Sequence, residues 1–360
     1  MRFLALVTDA FGGFGGIAQY NRDFLSALAS ASAVQEIVVL PRMAETLATA
    51  LPPRIRQFEP RIDRAAYSLA AYRALRSSAP FDVIFCGHLF MAPLAAMLAR
   101  LSGARLWLQV HGADAWQKPH RWVGWGAQQA DLVTSVSRYT RARMIRNWWQ
   151  SDPMRIRVLP NTVSEDFRPG RKPEHLVARY GVASRKLIVT VSRISAAERY
   201  KGHDRVITVM PRIREQHPEA LYLIVGDGDD LPRLRALAAD AGQQDHVVFA
   251  GRIPADELAD HYRLADVFVM PSAGEGFGIV FLEAAASGVP VIGGRTGGSW
   301  DALREGVLGD AVDPEDLDEL AHAICAALSR SRPVDASAVD AFRFDKYRAH
   351  VESLAGELSR

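Results

Sequence analysis

A run of four apolar residues, Val267–Met270, stops at Pro271; the chain then passes Gly274, Gly276 and Gly278 before resuming as the apolar stretch Ile279–Ala286. Gly288 ends that stretch, and a second apolar run, Val289–Ile292, follows. Strand, glycine turn, helix and strand in this order make a crossover unit, whose two strands lie parallel. Such a sheet is covered by helices on both faces, which commits the chain to the α/β class. Glu275 and Glu283 frame the start of the helix. Eight residues of helical rise span about 12 Å, and free N–H groups at a helix N-terminus suit a diphosphate. The spacing fits a diphosphate carrying a hydroxyl-bearing ring at each end, with one carboxylate for each ring. The plainer alternative is a capped helix with two surface glutamates; the glycines between them favour a site.

The same alternation runs along the whole chain. Strands are predicted near 2–8, 36–40, 82–86, 105–110, 132–136 and 156–159, and again near 187–192, 221–225, 246–250, 267–270 and 289–292. Helical patterns separate them, among them Asp204–Gln216, Asp230–Ala241 and Pro254–Leu264. A chain of 360 residues has room for two such halves. The stretch Pro160–Gly170 reads as the linker between them. A second polar stretch, Ser329–Ala338, precedes a last helix near Asp345–Leu358.

Charge is shared unevenly. Residues 1–165 hold 19 Lys+Arg against 11 Asp+Glu, and residues 166–360 hold 24 against 30. The basic half is expected to meet an anionic partner; no helix-turn-helix, zinc or RNA-binding signature points to nucleic acid. Cys86 and Cys325 lie far apart in apolar surroundings and read as buried thiols of a reducing compartment. The strand-like start Met1–Asp9 lacks the longer apolar core of a signal peptide. No apolar run reaches the roughly eighteen residues of a membrane span. The expectation is a cytoplasmic protein, peripheral at the inner face of a membrane.

The frame Glu275-Gly276-Phe277-Gly278-Ile279-Val280-Phe281-Leu282-Glu283 resembles the retaining glycosyltransferases of family 4, which have the GT-B fold. The resemblance covers nearly the whole chain and is strongest over 187–310. It implies two Rossmann-like domains facing across a central cleft. Residues 1–165 plus 345–360 would form the acceptor-side domain, and 166–344 the nucleotide-sugar domain. The linker Pro160-Asn161-Thr162-Val163 is similar to the family's hinge, with Thr162 in place of glycine. The implied roles are Glu275 on sugar hydroxyls, Glu283 on ribose, and Arg193 and Lys201 on the diphosphate. The amides of Phe277 and Gly278, with Ile279 beside them, would meet sugar oxygens. Gly251-Arg252-Ile253 ends a strand, which makes Arg252 and Ile253 base-pocket candidates. Asp227-Gly228-Asp229 is similar to the metal motif of the other large glycosyltransferase fold. Its strand–turn–helix setting reads instead as a turn in which Asp229 or Asp230 caps the helix, so neither a metal nor a cofactor is expected. Asp301 stands where the family's Gly-Gly turn usually carries glutamate.

In the first half, Gly13-x-Gly15-x-x-Ala18 matches a dinucleotide fingerprint loosely, but the acid expected after the second strand is missing after Leu40. The family instead has a glycine loop near donor phosphate and acceptor, which Gly15 and Gly16 fit. His111, at a strand end, matches a family histidine beside the transferred sugar, and Asp114 matches its His-Gly-x-Asp pattern on the acceptor side. Arg138, Arg141, Arg143 and Arg146 run into Trp148 and Trp149. This segment reads equally as a lipid-headgroup surface and as a solvated helix face over a packed tryptophan pair.

The reading is a hexosyltransferase acting from a nucleotide-diphosphate sugar, of GDP-mannose or UDP-glucose type, on an acceptor hydroxyl. The acceptor is expected to be a glycan or a lipid-linked saccharide, as in envelope polysaccharide synthesis. Three rivals stay open: a GT-B relative such as a sugar phosphorylase or epimerase, an NAD-dependent oxidoreductase, and a non-catalytic nucleotide-sugar-binding protein.

Overall fold

The first seven strands are β1 (Arg2–Val7), β2 (Glu36–Pro41), β3 (Ile55–Gln57), β4 (Val83–Cys86), β5 (Arg105–Val110), β6 (Leu132–Ser135) and β7 (Ile156–Val158). They form one parallel sheet in the order β3-β2-β1-β4-β5-β6-β7. Helices cover both faces, which is why the central strands read as unbroken apolar runs: Phe3 to Val7 and Val83 to Cys86 are all fully buried. The core on one face joins Leu4, Leu6, Ile84, Leu106 and Leu108 to Tyr67, Ala95 and Met144.

A second parallel sheet holds β8 (Lys186–Val191), β9 (Ala220–Val225), β10 (Val247–Gly251), β11 (Val267–Met270), β12 (Val291–Gly294) and β13 (Asp310–Val312), in the order β10-β9-β8-β11-β12-β13. Its core gathers Ile188, Tyr222, Ile224, Val267 and Val269 under the helix His203–Gln216 and the helix Leu317–Ser329. The short edge strands β3 and β13 have no counterpart in the sequence reading; each is three residues long and neither is an apolar run.

This computed structural model describes residues 1–46, 50–77, 80–330 and 336–358. It divides into two compact units, Met1–Thr162 with Phe344–Arg360, and Val163–Arg343. Within the second unit the two ends of its chain segment lie side by side. Val163 N–H donates to Phe342 O at 3.0 Å, and Arg343 Nη1 donates to Ser164 O at 2.8 Å. The last helix, Phe344–Leu358, belongs to the first unit and packs on the helix Gly16–Ser30, with Tyr347 edge-on to Tyr20 at 6.4 Å. Of the polar stretch Ser329–Ala338, residues 331–335 lie outside the described residues. Cys86 and Cys325 are buried free thiols. Among the described residues no helix is long and apolar enough to cross a membrane.

Candidate functional site

In the second sheet the chain leaves β8 for β9 and β10 on one side, and from β11 moves to β12 and β13 on the other. The carboxyl ends of β8 and β11 therefore flank the switch point, where open parallel sheets bind ligands. Arg193 and Lys201 lie on the loop after β8, and Glu275 on the loop after β11. The two loops are locked together. Ala273 N–H donates to Tyr200 O at 2.8 Å, and a Cβ at Gly202, whose φ is +81°, would lie 2.8 Å from Pro271 O. Gly226 and Gly228 do the same from β9: a Cβ there would meet Ser192 O at 1.8 Å and Ile194 O at 1.9 Å. These glycines are needed because the loops press backbone to backbone.

Glu275 is half-buried, and its Oε1 is shielded with no hydrogen-bond partner. Gly298 N–H holds its carbonyl at 2.7 Å, so the backbone is fixed while the carboxylate is left wanting donors. Burial raises its pKa and Glu198 adds to the rise; Lys201 opposes it. A shielded acceptor of this kind is costly until a donor such as a hydroxyl arrives.

The cations come with an acid that the sequence reading assigned no role. Glu198 takes Lys201 Nζ on Oε2 at 2.9 Å, Arg193 Nε on the same oxygen at 3.2 Å, and Arg193 Nη2 on Oε1. Burial works against its ionisation, but the bonds from Arg193 and Lys201 together prevail and hold its pKa below the ordinary glutamate range. An acid between two cations in Arg193-x-x-x-x-Glu198-x-x-Lys201 was the available signal.

Glu283 lies inside the helix Ile279–Ala286, only 7% exposed, and Tyr262 Oη donates to its Oε2 at 2.7 Å. Glu275, by contrast, precedes that helix and pairs with Gly297 in an isolated bridge. The seven residues between the glutamates are thus only partly helical, and the estimate from helical rise does not apply. Gly278 begins the helix at φ +88° without a side-chain cap, so its first amides stay open to an anion. Phe277 is buried against Phe342, and Ile279 is half-buried. Arg252 is exposed and Ile253 half-buried just beyond β10.

The Asp227–Asp230 turn differs in detail from expectation. Asp229 Oδ1 accepts from Ala196 N at 2.8 Å, serving the turn after β8. Asp230 stands at the start of the helix Leu231–Asp240 without capping it, because its carboxylate pairs with Arg233 and Arg199.

In the first sheet the switch point lies between β1 and β4. The tight glycine there is Gly13, where a Cβ would fall 1.7 Å from Asp9 Oδ1. Gly15 needs its glycine for a φ of +93°, whereas around Gly16 nothing lies within 4 Å of an added Cβ. Protein packing therefore does not exclude a side chain at Gly16, and only a ligand could do so. Gly16→Ala is expected to leave the melting midpoint unchanged or slightly raised. If substrate approaches this loop, transfer should fall by about tenfold or more, read by thermal unfolding beside a rate assay. Unchanged transfer would remove the loop from the site.

His111 Nε2 bonds Gly87 O at 2.9 Å; a carbonyl only accepts, so the proton sits on Nε2 and Nδ1 remains an acceptor. His88, absent from the sequence reading, stands 6.0 Å away ring to ring. Burial lowers both imidazole pKa values despite the Asp114 carboxylate, which keeps them neutral near pH 7. Asp114 itself closes the local turn by accepting from His111 N at 3.1 Å.

The lipid reading of Arg138–Trp149 is corrected. Trp148 and Trp149 are each 7% exposed and belong to the core, with Trp148 Nε1 donating to Ala115 O at 2.7 Å. Arg141 Nε is spent on Ile156 O, and the Arg143 guanidinium lies over the Tyr139 ring. Arg138 and Arg146 are exposed. Consecutive tryptophans here fill a gap beside a helix end and cannot reach a bilayer.

Comparison with known proteins places this geometry. The model of the Glycosyltransferase Family 4 matches residues 14–167, and that of the Glycosyl transferases group 1 matches residues 180–338. A GDP-mannose-dependent alpha-(1-6)-phosphatidylinositol monomannoside mannosyltransferase of Mycolicibacterium smegmatis is 36% identical over 271 residues, 69% of this chain and 68% of that one. A D-inositol 3-phosphate glycosyltransferase of Acidothermus cellulolyticus is 34% identical over 60% of this chain and 52% of its own. Among solved structures, Anabaena Alr3699/HepE in complex with UDP superposes with a TM-score of 0.79 at 18% identity, over 99% of this chain and 100% of that one.

Proposed function

This chain belongs to the family 4, group 1 glycosyltransferases, with two Rossmann-like units of the GT-B fold, and from that premise we propose that it transfers mannose from GDP-mannose, with retention, to a hydroxyl of an inositol-containing glycolipid. The observation that carries the site is the shielded, donor-less Oε1 of Glu275 beside Lys201. Glu275 grips hydroxyls of the transferred sugar. Arg193 and Lys201 take the charge that grows on the departing diphosphate, aided by the uncapped amides after Gly278. Glu283, aimed by Tyr262, takes ribose hydroxyls. Catalysis is then mainly orientation and charge stabilisation.

The donor and acceptor are supported by the mannosyltransferase of Mycolicibacterium smegmatis, whose name carries both. A lipid acceptor brings the enzyme to a membrane surface. Exposed Phe58, Ile62, Leu69 and Tyr72, interspersed with exposed Arg61, Arg64, Arg73 and Arg76, support that contact in place of the buried tryptophans.

The test is transfer from GDP-mannose to phosphatidylinositol mannoside in vesicles, with and without EDTA. The expected product carries an α-mannosyl linkage by NMR, and chelation leaves the rate unchanged, because Arg193 and Lys201 do the work that a cation would do. Transfer from UDP-glucose alone would overturn the donor; loss of activity in EDTA, restored by Mg²⁺ or Mn²⁺, would overturn the metal-free mechanism.

A further inference from the structure

Arg193 and Lys201 are not bare in this structure. Three N–H groups converge on the two oxygens of Glu198, a fork-like arrangement that a phosphate group also offers. The backbone beneath is pinned: Glu198 N–H donates to Ser195 O at 2.8 Å, and Ala196 N–H to Asp229. Within the turn Ala196–Lys201 only Glu198 leaves helical geometry, at φ −120° and ψ 28°. That kink turns its side chain toward the cations, while the next residue, Arg199, pairs with Asp230. The three groups differ in exposure. The side chains of Lys201 and Glu198 are 13% and 17% exposed, that of Arg193 70%. The lysine and the glutamate are largely buried, whereas the arginine reaches them from solvent. Without a counter-ion the two cations would repel each other, and one carboxylate offsets only part of their charge. A diphosphate brings more negative charge than one carboxylate and presents the same kind of acceptors.

We infer that Glu198 is a positioning residue: it holds Arg193 and Lys201 together while the diphosphate site is vacant, and yields them when a diphosphate binds. This rests on the reading of those two cations as diphosphate ligands. Glu198 then has two effects. It keeps the cations at the switch point, and it competes with the diphosphate of the product, hastening release.

The test measures GDP affinity and dissociation rate by calorimetry and stopped flow for wild type, Glu198→Gln, Glu198→Ala and Glu198→Asp. Because Arg193 itself is mostly exposed and its pairing is screened by solvent, removal of the competing charge is expected to tighten GDP binding by about two- to fivefold. The change should lie in slower dissociation, with kcat lowered as release slows. Glu198→Asp, which keeps the charge, should stay near wild type. A purely structural role predicts the opposite: weaker GDP binding in Gln and Ala variants alike. Unchanged or weaker binding in folded variants overturns the exchange, and so does failure of both Gln and Ala variants to fold. Lys201→Ala separates the two readings: if it leaves GDP binding intact, the diphosphate assignment has failed, whatever Glu198 does.

Discussion

Glu275→Gln is expected to lower the rate of glycosyl transfer by about 10²-fold while GDP still binds within a factor of about two of wild type. The reason lies in the loop after β11. Its backbone is fixed by Gly298, and the carboxylate has one shielded oxygen without a donor. On the proposed role of Glu275, this carboxylate meets substrate hydroxyls and contributes little to the fold, so its loss falls on turnover. Glutamine keeps the shape but replaces one acceptor with a donor, so a hydroxyl aimed at that atom meets the wrong partner. The pH profile offers a second readout. Burial, reinforced by Glu198, lifts the Glu275 pKa above the ordinary glutamate range. The ionised form is the one that accepts hydroxyl hydrogens, so activity should fall on the acid side at a pH above that range. The Gln variant should lose this limb. Parallel losses of GDP affinity and rate would show that Glu275 serves the nucleotide and not the sugar.

Gly298→Ala is expected to destabilise the second unit by about 3 kcal/mol or more and to abolish transfer. A Cβ at this position would lie 1.9 Å from Gly276 O and 2.4 Å from Gly276 C, backbone atoms of the very loop that carries Glu275. No rotamer change can relieve that contact, so the loop itself must move. Gly298 N–H also donates to Glu275 O, a bond that the displacement would break. Chemical denaturation measures the stability loss, and transfer at a temperature where the variant is folded measures the rest. Equal stability of the variant and wild type would mean that the two loops are not pressed together as described. Gly16→Ala is the contrasting case, with open space around the same added atom.

The parallel sheets were legible because buried central strands carry an unbroken apolar run. β1, β4, β8, β9 and β11 announce themselves in this way. β3 and β13 did not: each is three residues long, has no apolar run and is defined by pairing with its neighbour, whereas the equally short β7 is extended by the apolar Leu159. The strand, glycine turn and helix from Val267 to Ala286 were legible, because glycine spacing at a strand end carries turn geometry.

By itself, the sequence determined the α/β class, the two halves, and the residues that end at the carboxyl edge of each sheet: Arg193 and Lys201 after β8, Glu275 after β11, His111 after β5. Strand periodicity and turn chemistry are local, and they survive in one dimension. Tertiary structure alone decided the partners. Glu198 clamps both cations, Tyr262 reaches Glu283 from 21 residues away, and Asp229 serves the turn after β8 and not the helix beside it. It also turned Trp148 and Trp149 inward, where an arginine-rich sequence had allowed either face. Side-chain direction depends on which surfaces the other elements leave uncovered, and that is settled only when the sheet and its helices have packed.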